Sequence, residues 1–352
     1  MRFTVIGAGN GGQALAAYLA IQGHRVCLYN RSADRIRHTL TTHAIELTGR
    51  ISGIGILADV TDDIGRAVTG ADIIMIATTA NAHADIAAAM APYLSPGQTI
   101  LLNPGRTGGV WTFRKALDDI SCTSPVFLAE AQTLVYACRL ISDGKVNIIG
   151  VKDHVLLAGE NRTCTKAVIE RLQPVFPCFH EADNLLHTGL ENIGCIFHPC
   201  VILCNAAAIE RGNSFYFYRD MTPQTSRLIK QVDNERLAVG EAYGLHLTSA
   251  EQWVSEAYSN VTGMNLCEKM QNNPAYNDIL APDTIFSRQL MEDIPTGLIP
   301  ISELGAARKV PTPVTDSIIT LSGALLETDF RATGRTLESM NVTEDFLLRL
   351  NK

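Results

Sequence analysis

The chain has 352 residues, 46% of them hydrophobic, enough to bury the cores of two ordinary domains. A formal net charge of −7 argues against a nucleic-acid or anionic-membrane surface and leaves a small molecule as the expected partner. The nine cysteines are odd in number, scattered and never spaced as CxxC, which indicates neither a disulfide framework nor a metal site and suits a reducing, cytoplasmic setting.

The opening residues go straight into a strand pattern, with none of the features of a secretory signal. A strand over 2–7 is followed by Gly7-Ala8-Gly9-Asn10-Gly11-Gly12 and a helical run over 11–22. Gly7 permits a tight strand-to-helix turn, Gly9 lets the backbone approach a pyrophosphate, and Gly12 lets helix and strand pack closely. The phosphates would rest on the free N–H groups and positive end of a helix starting near Gly11. Strands are predicted near 25–29, 72–77, 98–102 and 125–129, with helices near 32–43, 62–69, 80–94 and 109–118 between them. This alternation is that of a parallel sheet with crossover helices. Ligands of such sheets bind beyond the carboxyl ends of the strands, which adds Ala77, Thr78, Thr79, Pro104 and Gly105 to the cofactor-facing positions.

At the end of the second strand an acidic residue would accept hydrogen bonds from both ribose hydroxyls of NAD. Here Asn30 and Arg31 occupy that place. A guanidinium can bind a 2′-phosphate through two charge-assisted hydrogen bonds, so NADP(H) is expected over NAD(H). The other reading of Arg31 is a solvated helix start with Asp34 as its partner.

Residues 131–160 read as further strands and 161–173 as a helix ending before Pro174. The pattern then turns helical, over 184–211, 222–243, 248–259 and 314–326, with a domain boundary near 180 that divides the chain into 1–180 and 181–352. Residues 192–209 carry no Asp, Glu, Lys or Arg, yet Asn192, His198, Pro199 and Asn205 suit a helix buried in protein better than one in lipid. On a continuous helix His187, Glu191, Gly194 and His198 share one stripe, to which Asn205 returns if Pro199 leaves the register unchanged. His198 is either a satisfied core histidine or a proton-transfer group.

The glycine turn, Asn103-Pro104-Gly105, the helix ending Phe197-His198-Pro199, Asn273-Pro274-Ala275-Tyr276 and Glu292-Asp293-Ile294-Pro295-Thr296-Gly297-Leu298 together resemble the octopine/nopaline (opine) dehydrogenase family. Among its members the chain looks most like the bacterial N-(1-carboxyethyl)-norvaline dehydrogenase type. The resemblance implies an α/β, doubly wound Rossmann domain followed by an all-α domain that binds substrate and dimerises, with the active site in the cleft between them. It implies reductive condensation of an α-keto acid such as pyruvate with the amino group of an amino acid. It implies His198 as acid/base, Asp293 as its partner, and Glu130, Gln132 and Thr133 lining the nicotinamide and keto-acid side. A family asparagine one turn before the histidine is replaced by Gly194, so the substrate amide contact is lost, replaced or supplied by Asn205. Arg106, Arg139, Arg288 and Arg308 are candidate partners for substrate carboxylates. A reductase of simple keto or β-hydroxy acids and a silent nicotinamide-binding protein are the alternatives; the former relies on a helix lysine that 184–211 lacks.

Overall fold

The computed structural model describes residues 1–258 and 260–350. The chain forms two compact units by internal contact: residues 1–105 with 109–188, and residues 106–108 with those from Gly189 onward.

The first unit is built on β1 (Arg2–Ile6), β2 (Arg25–Tyr29), β3 (Ala44–Gly49), β4 (Gly53–Ile56), β5 (Asp59–Thr61), β6 (Ile73–Ile76), β7 (Thr99–Leu102), β8 (Phe127–Ala131), β9 (Tyr136–Ser142), β10 (Lys145–Val151), β11 (Val155–Gly159) and β12 (Phe179–Glu181). Eight of these form one sheet in the order β12-β11-β8-β7-β6-β1-β2-β5. It is parallel except where β11 runs against β8. Every residue of β6 and β7 is buried, as parallel strands covered on both faces require. The chain leaves β1 toward β2 and β5, then returns to β6 on the other side, so the strand order reverses between β1 and β6. That reversal opens a crevice at their carboxyl ends, where the Gly7 turn and Ala77 lie.

Helix α1 (Asn10–Ile21) touches β1 and β2 of this sheet and also β3, β4, β9 and β10, which form a second sheet in the order β4-β3-β10-β9. Covered on both sides, α1 can be apolar nearly all round, with Ala14, Leu15, Ala16, Ala17 and Leu19 fully buried. The expectation for 131–160 is met by β9, β10 and β11. The stretch 44–61, left unassigned by sequence, forms β3, β4 and β5. Its strands are short, Gly53 and Gly55 interrupt the pattern, and the Gly55 position lies against the α1 backbone, where a Cβ would come within 2.5 Å of the Ala17 carbonyl oxygen. Helices α2 (Arg37–Thr42), α3 (Ile64–Val68), α4 (His83–Met90), α5 (Gly109–Asp119) and α6 (Arg162–Leu172) supply the crossovers, and α7 (Leu185–Leu190) follows.

The second unit is helical: α8 (Gly194–Cys204), α9 (Ala206–Glu210), α10 (Pro223–Ala242), α11 (Ala250–Ala257), α12 (Leu266–Gln271), α13 (Arg288–Met291), α14 (Ile299–Ala307) and α15 (Pro313–Leu326). Thr222 caps α10 by accepting from the Thr225 N–H, with Pro223 at the first helical position. The helix expected at 248–259 is observed as α11, and its predicted last residue, Ser259, lies outside the described residues.

The single helix predicted over 184–211 is three helices. Glu191 and Asn192 leave the helical path, the Glu191 carboxylate accepting from the Thr248 N–H at 2.6 Å. Asn205 ends α8 with its own amide donating to the Val201 carbonyl at 2.9 Å, a side-chain bond that competes with the backbone ladder. The polar stripe His187, Glu191, Gly194, His198 therefore does not run along one helix. Arg236, fully buried on α10, anchors this break: it donates to Asp233, to the Leu190 carbonyl at 2.9 Å and to the Thr248 carbonyl at 2.6 Å. Among the described residues no helix is long and apolar enough to cross a membrane.

Candidate active site

In the first unit, Gly7 adopts φ +101°, a conformation that favours glycine, and its N–H donates to the Tyr29 carbonyl at 2.8 Å. A Cβ on Gly12 would come within 1.6 Å of the Gly7 carbonyl oxygen, so only glycine lets α1 start this close to β1. A Cβ on Gly9 would meet nothing within 4 Å: that side of the turn is open. No side chain caps the start of α1, which leaves its first N–H groups available to an anion. Asn10 ties the turn to β9 by accepting from the Leu140 N–H at 3.0 Å, while the Gly11 position lies against Leu134. Beside the turn, the Thr78 hydroxyl is buried without a partner. An open cradle, an uncapped helix start and an orphaned hydroxyl are what a dinucleotide pyrophosphate needs, and these residues fit one.

Asn30 accepts from the Ala8 N–H at 3.1 Å and donates to the Ser32 carbonyl at 2.9 Å, locking the β2 end to the glycine turn. Arg31 is exposed, and Asp34 pairs with Arg37 at 2.6 Å rather than with it. Ala77 and Thr79 follow β6, half-buried and exposed respectively, and Pro104 is half-buried after β7. The Gly105 N–H donates to the Ala131 carbonyl, and a Cβ there would collide with Glu130 at 2.2 Å. Glu130 is buried, its two carboxylate oxygens accepting from the Val110 N–H at the start of α5 (3.0 Å) and from the Thr188 hydroxyl (2.7 Å). Gln132 accepts from the Leu156 N–H at 3.3 Å, and Thr133 is half-buried beside it in sequence.

In the second unit His198 and Asp293 come together. His198 lies in the middle of α8, and its Nδ1 is 2.6 Å from Oδ2 of Asp293, which immediately precedes the π-helical turn Ile294–Leu298. Its Nε2 is 2.9 Å from the Tyr218 hydroxyl. Asp293 is fully buried, and its second oxygen, Oδ1, faces the Arg106 guanidinium at 3.5 Å. Burial alone would raise the Asp293 carboxyl; the charges of Arg106 and then His198, with the His198 hydrogen bond, outweigh it and hold the group below its ordinary value. Arg106 also faces Glu292 at 3.6 Å and donates to the Asn192 amide oxygen at 3.1 Å. It reaches this cluster because residues 106–108 belong to the helical unit, where the Thr107 N–H donates to the Thr296 carbonyl and its hydroxyl to Gly189.

Gly194 leaves room for that guanidinium. A Cβ there would come within 2.8 Å of Arg106 Nη1 and 3.4 Å of the His198 ring, so the side-chain space one turn before the histidine is filled by Arg106. Of the other arginines, Arg288 pairs with Glu292 at 2.9 Å, Arg308 with Glu344 at 3.2 Å, and Arg139 is exposed. Sequence reasoning placed Arg106 only among candidate carboxylate partners, and the place of Tyr218 beside His198 comes from the structure. Neither carries a periodic signal: one follows the Asn-Pro-Gly turn, the other ends the aromatic run 215–218.

A Rossmann-type sheet with a glycine cradle, and a buried carboxylate–imidazole pair in a helical unit, can be set against known proteins. Residues 181–326 match the family described as NAD/NADP octopine/nopaline dehydrogenase, alpha-helical domain. Residues 2–104 match the NAD-dependent glycerol-3-phosphate dehydrogenase N-terminus. An opine dehydrogenase of Arthrobacter sp. (strain 1C) is 38% identical over 343 residues, 97% of this chain and 95% of its own. The chain belongs to the opine dehydrogenase family.

Its activity is that of an NAD(P)H-dependent opine dehydrogenase, the reductive condensation of a keto acid with an amino acid. Octopine dehydrogenase of Mizuhopecten yessoensis is 27% identical, covering 91% of this chain and 88% of its own. The fold matches octopine dehydrogenase solved with NADH and L-arginine, with a TM-score of 0.82 at 22% identity over 99% of this chain and 98% of that one. Yersinopine dehydrogenase with NADP+ bound gives a TM-score of 0.73 at 14% identity, covering 100% and 97%.

Proposed function

We propose that His198 and Asp293 are the acid–base pair of this reaction, that the keto acid is pyruvate-like, and that NADPH is the preferred reductant. The observation that carries this reading is the 2.6 Å contact between His198 Nδ1 and Asp293 Oδ2 inside the helical unit. Asp293 fixes the ring and which nitrogen it turns toward the proton path. His198 first takes a proton from the substrate ammonium, freeing the lone pair that attacks the keto carbon. It returns that proton to the alkoxide of the adduct, takes a second from the adduct nitrogen and delivers it to the new hydroxyl, which leaves as water and gives the protonated imine. The nicotinamide, when bound, supplies hydride to the imine carbon. Each of the two protons that pass from nitrogen to oxygen is borrowed and returned, so a single histidine serves both halves of the condensation.

The glycine turn Gly7–Gly12, with Thr78, holds the pyrophosphate, and Asn30 and Arg31 receive the 2′-phosphate. The exposed guanidinium of Arg31, free of Asp34, and the neutral Asn30 in place of an acidic residue directly after β2 support NADPH. The aromatic group about His198, formed by Phe217, Tyr218, Tyr258 and Tyr276, supports an amino donor with an apolar side chain, as in the norvaline type. By the same resemblance the first domain binds the cofactor and the second binds substrate and forms a homodimer, with Gln132, Thr133 and Asn205 near the substrates, in a cytoplasmic setting. The absence of lysine from α7, α8 and α9 supports the opine reading over a simple keto-acid reductase.

The test is the loss of NADPH and NADH absorbance with pyruvate alone and then with each amino acid and norvaline. Oxidation that needs both partners and runs faster with NADPH is the expected result. Oxidation by pyruvate alone would overturn the condensation reading, and faster turnover with NADH the cofactor preference.

A further inference from the structure

Both ring nitrogens of His198 are occupied by protein: Nδ1 by Asp293 at 2.6 Å and Nε2 by the Tyr218 hydroxyl at 2.9 Å. An imidazole held at both ends has no free N–H or lone pair to offer a substrate. We propose that Tyr218 is a catalytic residue, the group through which His198 exchanges its proton with the substrate, so that the acid–base device is the chain Asp293, His198, Tyr218. This rests on the reading of His198 given above.

The surroundings of Tyr218 favour a relay over a side chain that swings aside. It is 7% exposed. Its ring stacks on Tyr276 at 4.5 Å and 25°, and meets Phe217 edge-on at 4.8 Å. Tyr276 is in turn fixed by a 2.9 Å hydrogen bond between its hydroxyl and that of Tyr258. Swinging out would break this stack. Burial raises the Tyr218 phenol, so it stays protonated at neutral pH and passes a proton without storing one. A neutral phenol has one proton and two lone pairs, and the bond to His198 uses only one of these, leaving the rest for a substrate oxygen or nitrogen.

The dehydration step then balances as follows. With His198 protonated, its Nε2–H donates to the Tyr218 oxygen, whose own O–H donates to the hydroxyl of the keto acid–amine adduct. As the C–O bond breaks, that hydroxyl takes the phenol proton and the phenol oxygen takes the Nε2 proton. Water leaves, the imidazole becomes neutral, and the positive charge passes to the imine nitrogen. The reverse transfer takes the proton from the substrate ammonium at the start.

Tyr218→Phe keeps the ring and its stack but removes the hydroxyl. In the full-length enzyme, single turnovers with NADPH, pyruvate and the best amino donor of the wild type are expected to slow by about 10²-fold or more, with NADPH binding unchanged. In mixtures of light and heavy water the wild-type rate should show two protons in flight, a curved dependence. A variant rate within threefold of wild type or above it, or a linear wild-type dependence, overturns the relay. The isotope measurement needs no variant, so the proposal stays testable even if Tyr218→Phe fails to fold. His198→Gln separates the two readings. If it is inactive while Tyr218→Phe is fully active, only the relay falls; if His198→Gln keeps wild-type turnover, the acid–base reading falls and the relay with it.

Discussion

Replacing Asp293 by Asn tests the centre of the site, because it keeps the shape and removes one charge. The carboxylate sits between the His198 ring, with Nδ1 at 2.6 Å from one oxygen, and the Arg106 guanidinium at 3.5 Å from the other, with no solvent exposure. At an effective dielectric of about 20, the Arg106 attraction alone is about 5 kcal/mol before desolvation is subtracted. Breaking one side of a buried pair typically costs about 3 to 5 kcal/mol of stability. The catalytic cost is separate: the amide neither fixes the imidazole in the same tautomer nor balances the positive charge as the ring takes a proton, and about a 10³-fold loss of turnover is expected, about 4 kcal/mol. The assay is nucleotide oxidation in the presence of both substrates, alongside NADPH affinity, which should not change. Thermal melting as a function of pH gives the second readout. Because the folded carboxyl is held below its ordinary value, its contribution to stability is complete above about pH 4 and is lost as the pH falls through the folded value. The melting gap between wild type and Asp293→Asn should therefore be widest near neutrality and narrow below about pH 4. A variant with turnover within tenfold of wild type, or a gap that does not depend on pH, would refute the reasoning.

Other substitutions probe the remaining parts. Gly12→Ala forces a methyl against the Gly7 carbonyl oxygen, 1.6 Å from the ideal Cβ position, and should weaken NADPH binding by about 10- to 100-fold in a titration; unchanged affinity would place the dinucleotide elsewhere. Arg31→Ala should cut kcat/KM for NADPH by about tenfold and change that for NADH less than twofold; equal losses would remove Arg31 from cofactor choice. Lys152, 9% exposed and donating to the Leu134 carbonyl at 2.7 Å, has its amine pushed down by burial to about 8. Keeping it charged at neutral pH costs about 3 kcal/mol, partly offset by that hydrogen bond, so Lys152→Met should be more stable by about 1 to 2 kcal/mol at pH 7. Wild-type stability rises as the pH climbs from the folded toward the ordinary lysine value, so the advantage should vanish by about pH 10 in denaturant titrations. An advantage that does not depend on pH would show that packing, not charge, sets the difference.

Much of the first unit was legible in the chain itself. The glycine turn, the buried run 73–76 and the alternation of periods identify a doubly wound sheet because local sterics and the covering of both sheet faces leave few other solutions. The segment 44–61 was not, since strands of three to six residues carry almost no periodic signal, and β3 and β4 are covered by α1, a separate element earlier in the chain. In the second unit the sequence determined that His198 lies on an apolar helix and, through short motifs, that Asp293 belongs with it. Only the tertiary structure decided the rest. The helix over 184–211 breaks because Glu191 and Arg236 find partners around Thr248, outside the helix itself. Arg106 joins Asp293 because residues 106–108 belong to the helical unit, and Tyr218 reaches Nε2 because residues 215–218 fold beside α8. These are contacts across 12 to 187 residues of chain, made by single polar atoms with no repeat to announce them. Periodicity reports which face of an element is buried; it is silent about which charge meets which.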